Sequence, residues 1–500
     1  MAVASFYLKA RQAKGTYGHS GTAEEANIFK YTKFTTKRKI FTAASLVVSF
    51  LASSVAYTVM VTPLTKPIPA VRPTIEKVAD SENAWVEYDL AIHDLIDMPV
   101  LSRMTSKNLA AIETNILRKV QSPIYGGSEK VASGEAKLTE EQVVFLEKHQ
   151  KAIDHLLAAS KLPKAQFHGE TPNLSNPVPN LLQMRALANL AGAKVQHLKE
   201  QGKIKEAVEL ALANYKMAVD IGAETNTTLI TSLISVVCRG LTAKSLIALI
   251  NSGVTTAEMD KEIARYVTEQ DLRIPNAYQL ISWEQQAFQI SLEERLIKGN
   301  FESLDDVYKG QDIAKFIFKS LPGLRVRAYN KYVNLHQNNI NSISSNLENW
   351  DFVTATNTIN KLSQEPWNAL WTAENITEKI LFPYVSLPNG LSTMKSLYNC
   401  NAITKTVATF AACSAYKKNH NQFPATLDLA MNEVGLLTPI DLATKKPIGY
   451  RLENGNPRIW FAGVDGKNDG GLQAYDRRNF HSAIVGKDLV FSYGQLFFRD

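Results

Sequence analysis

Leu181–Ala218, LLQMRALANLAGAKVQHLKEQGKIKEAVELALANYKMA, decides the fold class. Leu181, Met184, Ala188, Ala191, Val195 and Leu198 follow one another at spacings of 3, 4, 3, 4 and 3, which lays one apolar stripe along a helix. The two alanines at its middle let a partner helix approach closely. Gly202 interrupts the pattern, and Ile204, Val208, Ala211, Tyr215 and Ala218 begin a second stripe. The spacing predicts a helical hairpin. Its 34-residue tetratricopeptide-like period does not recur, so it predicts one hairpin in a bundle or irregular helical solenoid and not an array.

Outward from the hairpin, the helical period holds from about Asp80 to Leu381. Lys161–Asn180 interrupts it with four prolines and reads as a long loop. Thr228–Ile250 is apolar but carries Arg239 and Lys244, which predicts a buried core helix. Ile40–Val61, IFTAASLVVSFLASSVAYTVMV, has 22 residues and no charge. As a helix it is about 33 Å long, enough to cross a hydrocarbon core of about 30 Å. Lys37, Arg38 and Lys39 abut its start and no charge follows before Lys66, which places the N-terminus in the cytoplasm. The competing reading is a cleaved signal peptide ending near Ser54-Val55-Ala56, but its n-region would be nearly 40 residues long. Both readings export the body. PLTKPIPAVRP follows, and prolines at 63, 67, 69 and 73 predict an extended stalk of roughly 30 Å that holds the body off the bilayer.

Charge supports this division. Residues 1–39 hold eight basic and two acidic side chains, so +6 of the net +7 lies there and the other 461 residues carry +1. A near-neutral body argues against nucleic acid as a partner. Cys238, Cys400 and Cys413 make no disulfide framework. Cys400 and Cys413 sit 13 residues apart on one predicted helix, about 20 Å, and all three read as buried free thiols.

Near Ser392 the character changes. An alanine-rich helix is predicted over 393–418, then a short one from Thr426 to about Val434. After Pro439 and Pro447 the period becomes two. Ile448, Tyr450 and Leu452 alternate with polar residues, Asn454-Gly455 supplies a type I′ turn, and Ile459 and Phe461 return. Asp488–Tyr493 and Gln495–Phe498 read as one or two further strands. The expected fold is thus mainly α: a basic tail (1–39), a transmembrane helix (40–61), a Pro-rich stalk (62–79), a helical domain (80–391) and a small α+β module (392–500).

The order long helix, NHNQFPATLDLA, KPIGYRL, PRIWFAGVDGKNDGG and KDLVFSYG resembles the globular part of type II secretion major pseudopilins, over residues 394–500. It also resembles large bacterial membrane proteins that carry such a module. One departure stands out. A pseudopilin has glycine followed by Phe-Thr-Leu-x-Glu ahead of its apolar helix, and here Thr35-Thr36-Lys37-Arg38-Lys39 occupies that place. The resemblance implies a calcium ion in the C-terminal loop.

From the residues themselves, Asp465-Gly466-Lys467-Asn468-Asp469-Gly470-Gly471 offers closely spaced oxygen donors with glycines that permit tight turns, as a hard cation needs. It is no EF-hand, because Lys467 replaces a ligand and the distal Glu is missing. By position the resemblance implies Asp465 as a ligand, with Asp488 as the late acidic one and Asp476 a possible addition; with Asn468 and Asp469 of the loop, Asp465 and Asp488 are the candidate metal residues, and the competing reading is a solvated Asx turn. Asp89, His93 and Asp97 share a helix face. That row reads as the wet side of an amphipathic helix with Val86, Leu90 and Ile96 inward. His149 and His155 do not share a face, and His168 and Glu170 lie in the long loop. Trp283, Glu284, Glu293 and Glu294 have no counterpart in the sequence. No HExxH, GxSxG, phosphate-binding glycine loop or CxxC occurs. The expectation is a noncatalytic, membrane-anchored envelope protein of the bacterial inner membrane, its body periplasmic. It would bind envelope or secretion-system proteins and be linked to a secretion or pilus-like system. The alternative is an exported carbohydrate-active hydrolase using an unrecognised carboxylate pair.

Overall fold

The computed structural model describes residues 66–96, 136–167, 181–224, 227–298, 322–358, 387–471 and 488–494, with Ser45, Ser49, Ala52 and Val131 as single positions. The chain divides into two compact units, Met1–Thr65 with Leu370–Thr377, and Lys66–Ala369 with Glu378–Asp500. In the first, only Ser45, Ser49 and Ala52 are described, each helical and exposed. The tail, the rest of the predicted span, residues 168–180, Asp97, Asp476 and Gln495–Phe498 lie outside the described residues. Everything below belongs to the second unit.

That unit is mainly helical, with one small sheet. Its helices are α1 (Ala84–Ile96), α2 (Glu140–Lys148), α3 (Gln150–Ser160), α4 (Leu181–Glu200), α5 (Ile204–Ala223), α6 (Leu229–Ser252), α7 (Ala257–Asp271), α8 (Ala277–Leu292), α9 (Pro322–Glu348), α10 (Leu387–His420) and α11 (Leu427–Val434). A π-helical turn, Glu293–Ile297, extends α8. The α4–α5 hairpin forms as its stripes predict, with Met184, Ala188, Ala191, Val195, Val208, Ala211, Tyr215 and Ala218 buried. Gly202 takes φ +74°, and the Lys203 amide donates to the Leu198 carbonyl. This left-handed stop closes the last carbonyls of α4. α6 is the long apolar helix in the interior. By length and composition it could cross a membrane, yet it is mostly buried in this fold, as the charges at 239 and 244 predict.

α5, α6 and α10 form the centre. α6 packs on α4, α5, α8 and α10, and α10 also packs on α7, α11, β2 and β3. The sheet is antiparallel in the order β1 (Gly449–Glu453), β2 (Asn456–Phe461), β3 (Leu489–Ser492), with Glu453 opposite Asn456 and Phe461 opposite Leu489. Asn454 and Gly455 have φ of +52° and +78°, as a type I′ turn requires. Ile459, Phe461, Val464 and Leu489 join the same buried cluster as Tyr88, Leu187 and Leu246, so sheet and helical body share one core.

Two local readings change. The buried side of α1 is Trp85, Tyr88, Ala91, Ile92 and Leu95, and Leu90 is 40 % exposed. Of the expected inward face, Val86 is half-buried and Leu90 is on the exposed side, beside the buried rings of Trp85 and Tyr88, while the Ile96 side chain lies outside the described residues. Residues 66–79 have no helix or strand, but from Lys66 onward they lie along the body and are no free spacer. The Ile68 amide donates to Asn330 Oδ1 at 2.8 Å, and Asn330 Nδ2 donates to the Lys66 carbonyl at 2.9 Å. Arg72 pairs with Glu293, which also accepts from the Ala70 amide. Gln166 holds the far end through the Val78 amide and the Glu76 carbonyl. An extended chain leaves its backbone groups open, and polar side chains on the body take them.

Candidate cation-binding loop and the buried carboxylates

The loop leaves β2 at Phe461 and turns through Gly463, Gly466, Gly470 and Gly471, all at positive φ. Asp488 immediately precedes β3 and is buried to 1 % exposure. Both its oxygens accept from the Asp469 amide at 3.1 Å, and Oδ2 also accepts from the Gly471 amide at 2.7 Å. Asp465 Oδ1 accepts from the Lys467 amide at 3.2 Å, an Asx turn. Asn468 Oδ1 accepts from the Gly470 amide and from Trp460 Nε1, both at 2.9 Å. The carbonyls of Gly470 and Gly471 are taken by Arg451 and Arg458. Trp460 floors the loop. A Cβ at Gly449 would lie 1.9 Å from its ring and one at Gly471 2.9 Å.

Burial raises the Asp488 carboxyl above the usual carboxylate range. The amides of Gly471 and Asp469 pull it back, and the charges of Asp469 and Asp465 push it up again. The structure thus places Asp465, Asn468, Asp469 and Asp488 around one loop. Among the described residues no set of three or more His, Cys, Asp and Glu side chains is placed to hold a metal ion. In this conformation the loop is closed by its own amides. A hard cation at Asp488 would have to displace N–H donors from it, while relieving the crowding of like charges.

Elsewhere, buried carboxylates join helices. Asp220 on α5 is fully buried and meets Tyr88 Oη at 2.7 Å, Lys216 Nζ at 2.6 Å and Arg273 Nη2 at 2.6 Å, the last an ion pair outside hydrogen-bond geometry. Arg239 on α6 pairs with Asp271 on α7 and donates to Thr404 on α10 at 2.9 Å. Asn401 donates to the other Asp271 oxygen, and Tyr215 shares a hydrogen with Thr404. Asp260 on α7 takes Lys418 of α10 and Thr255. Burial raises Tyr88, first by desolvation and then by Asp220, so it stays a donor. Burial also pushes the Cys238 and Cys413 thiols up to about 12; all three cysteines are buried and free.

Residues flagged in the sequence find their counterparts here. Glu284 accepts from the Leu229 amide at the start of α6, and its carboxyl is raised by burial. Glu293 holds residues 66–79, a strap along the body, through Arg72 and the Ala70 amide. His155 bridges from α3 to α1, with Nδ1 2.6 Å from Glu87 Oε2 and Nε2 3.6 Å from Asp94 Oδ2. His149 Nδ1 lies 3.0 Å from the Asp94 carbonyl, and burial lowers its pKa. His93 is exposed beside Asp94. The sequence left these histidines unconnected, because the contact runs between two helices and not along one.

No protein-family model, curated protein or solved structure matches the chain.

Proposed function

We propose that this chain is a noncatalytic, membrane-anchored protein of the bacterial cell envelope that binds other envelope or secretion-system proteins. In this reading residues 40–61 span the inner membrane, the N-terminus is cytoplasmic, and the second unit is periplasmic. One observation carries the protein-binding part. Leu437 is 92 % exposed in the loop after α11, and the Thr438–Asp428 hydrogen bond holds that loop against the helix carrying Leu429, itself 42 % exposed. Ile440, in the same loop, is 41 % exposed. Exposed leucines grouped on a rigid support are what a partner protein covers.

The support is rigid because α10 is common to body and sheet, and because Arg265 of α7 donates to the Val434 carbonyl that ends α11. The order of elements after α10, with its Asp–Gly loop, supports a link to a secretion or pilus-like assembly. Calcium is the proposed ion for Asp465, Asn468, Asp469 and Asp488, supported by three carboxylates around one loop. Where bound, it would supply positive charge that fixes the loop; it takes no part in a reaction.

A photocrosslinking residue in place of Leu437, in the native envelope, tests the main reading. Discrete adducts that Leu429→Asp abolishes are expected. Absence of any adduct in intact cells would count decisively against it.

A further inference from the structure

We infer that the seam between α8, its π-helical turn and α9 is a binding site for extended, proline-containing peptides that carry an arginine. The chain's own residues 66–72 fill it in this structure, and such a segment of another protein can replace them. The inference is independent of the Leu437 surface and of the anchor. Prolines at 67, 69 and 73 hold φ at about −65° and remove backbone donors. Among the described residues, no backbone–backbone hydrogen bond involves residues 66–78. That is the condition of a polyproline-like segment, which makes no internal hydrogen bonds and leaves its backbone open to other partners.

Side chains of the body read that backbone in order. Asn330 of α9 donates to the Lys66 carbonyl at 2.9 Å and accepts from the Ile68 amide at 2.8 Å. Gln289 Nε2 of α8 reaches the Pro69 carbonyl at 3.5 Å and Tyr329 Oη at 3.4 Å. Glu293 accepts from the Ala70 amide at 3.3 Å and pairs with Arg72, which fixes the direction of the segment. Side-chain donors to carbonyls, an adjacent aromatic ring and one acid for one arginine are means of holding a proline-rich ligand. Glu293 also opens the π-helical turn, where the Lys298 amide donates to the Glu293 carbonyl at 3.1 Å. Such turns are rare and concentrate at functional positions. Exchange follows from how little is covered. Of residues 66–73 only Ala70 is buried, and Val71 is 68 % exposed. The segment is held by polar contacts and by its covalent link to the body, which keeps its local concentration high. A segment of another chain with the same pattern meets the same donors and the same carboxylate.

The test uses the full chain and a fluorescein-labelled peptide with the sequence of residues 66–75, read by anisotropy. Arg72→Glu in the chain sets two carboxylates against each other and should free the seam. This variant should bind the peptide about tenfold more tightly than the wild type, whose seam is filled. Adding Glu293→Gln should remove most of that gain, and a peptide carrying Arg72→Glu should bind neither chain. Equal binding to the wild type and the Arg72→Glu chain, or a gain that Glu293→Gln leaves intact, would overturn the inference. Hydrogen exchange on the wild-type chain gives a reading that needs no variant. The Ile68 and Ala70 amides should exchange about a hundredfold faster than the amides of α6, because the segment opens locally. Protection equal to that of α6 would mean that it leaves only when the protein unfolds, and would also overturn the inference.

Discussion

Asp220 and Asp488 are both carboxylates with almost no exposure, and the fold satisfies them by different means. Asp220 has two cations and a phenol around it, all from helices or their ends. Among the described residues Asp488 is met by backbone amides, with Asp469 and Asp465 repelling it from the same loop. A buried charge met by opposite charge is fixed, because removing either partner strands the other. One met by neutral dipoles and like charges stays open to a proton or a cation. The helical core uses its acids as rivets, and the C-terminal loop keeps one acid whose charge can still be changed from outside.

Breaking the rivet should have the largest effect. Asp220→Ala leaves Lys216 without its buried partner and is expected to cost about 3–5 kcal/mol in denaturant unfolding of the second unit. A loss near zero would mean that water reaches this site and the contrast with Asp488 is false. Calcium at a hundredfold its Kd should stabilise the chain by about 2.7 kcal/mol if it binds the loop. The readout is melting temperature with calcium and then chelator, and Asp465→Ala should abolish the difference; superimposed curves would reduce Asp465 to a turn residue. Gly449→Ala should cost about 1–3 kcal/mol, because the new methyl meets the Trp460 ring that floors the loop. Gly455→Ala meets nothing within 4 Å and should cost about 1 kcal/mol through its positive φ alone.

The smallest effect is the pH response of Asp488. Its folded pKa is raised, so between the unfolded and folded values the native state holds more protons, and stability falls as pH rises through that window. Relative to Asp488→Asn, the wild type should gain stability as pH drops from neutral toward the ordinary carboxylate range. A difference independent of pH would show that the amides compensate the burial fully.

How much of this was legible in the residues depends on the range of the interaction. The α4–α5 hairpin, the stop at Gly202 and the turn at Asn454-Gly455 are local, and each was read correctly from spacing and backbone preference. The turns of the C-terminal loop are legible for the same reason, since Asp465 through Gly471 are contiguous; its ion is still a proposal. What escaped was set by distant partners. Lys216 and Asp220 stand four apart in an apolar stretch and signal a buried pair, but nothing nearby names Tyr88 or Arg273. Arg239 marks α6 as a core helix without revealing Asp271 or Thr404. The strap looked free because its hydrogen-bond partners, Asn330, Glu293 and Gln166, lie about 90 to 260 residues away.

α10 has one consequence for how such a gene can be rearranged. The helix reaches the body through Asn401, Thr404 and Lys418, and the C-terminal elements through Tyr398, Lys405 and Phe410. A recombination breakpoint ahead of Leu387 would strip α6 and α7 of their neighbour, and one after His420 would leave the sheet without its floor. Either product would expose a half-core. The C-terminal elements can be inherited, swapped or fused only together with the helices that α10 already serves.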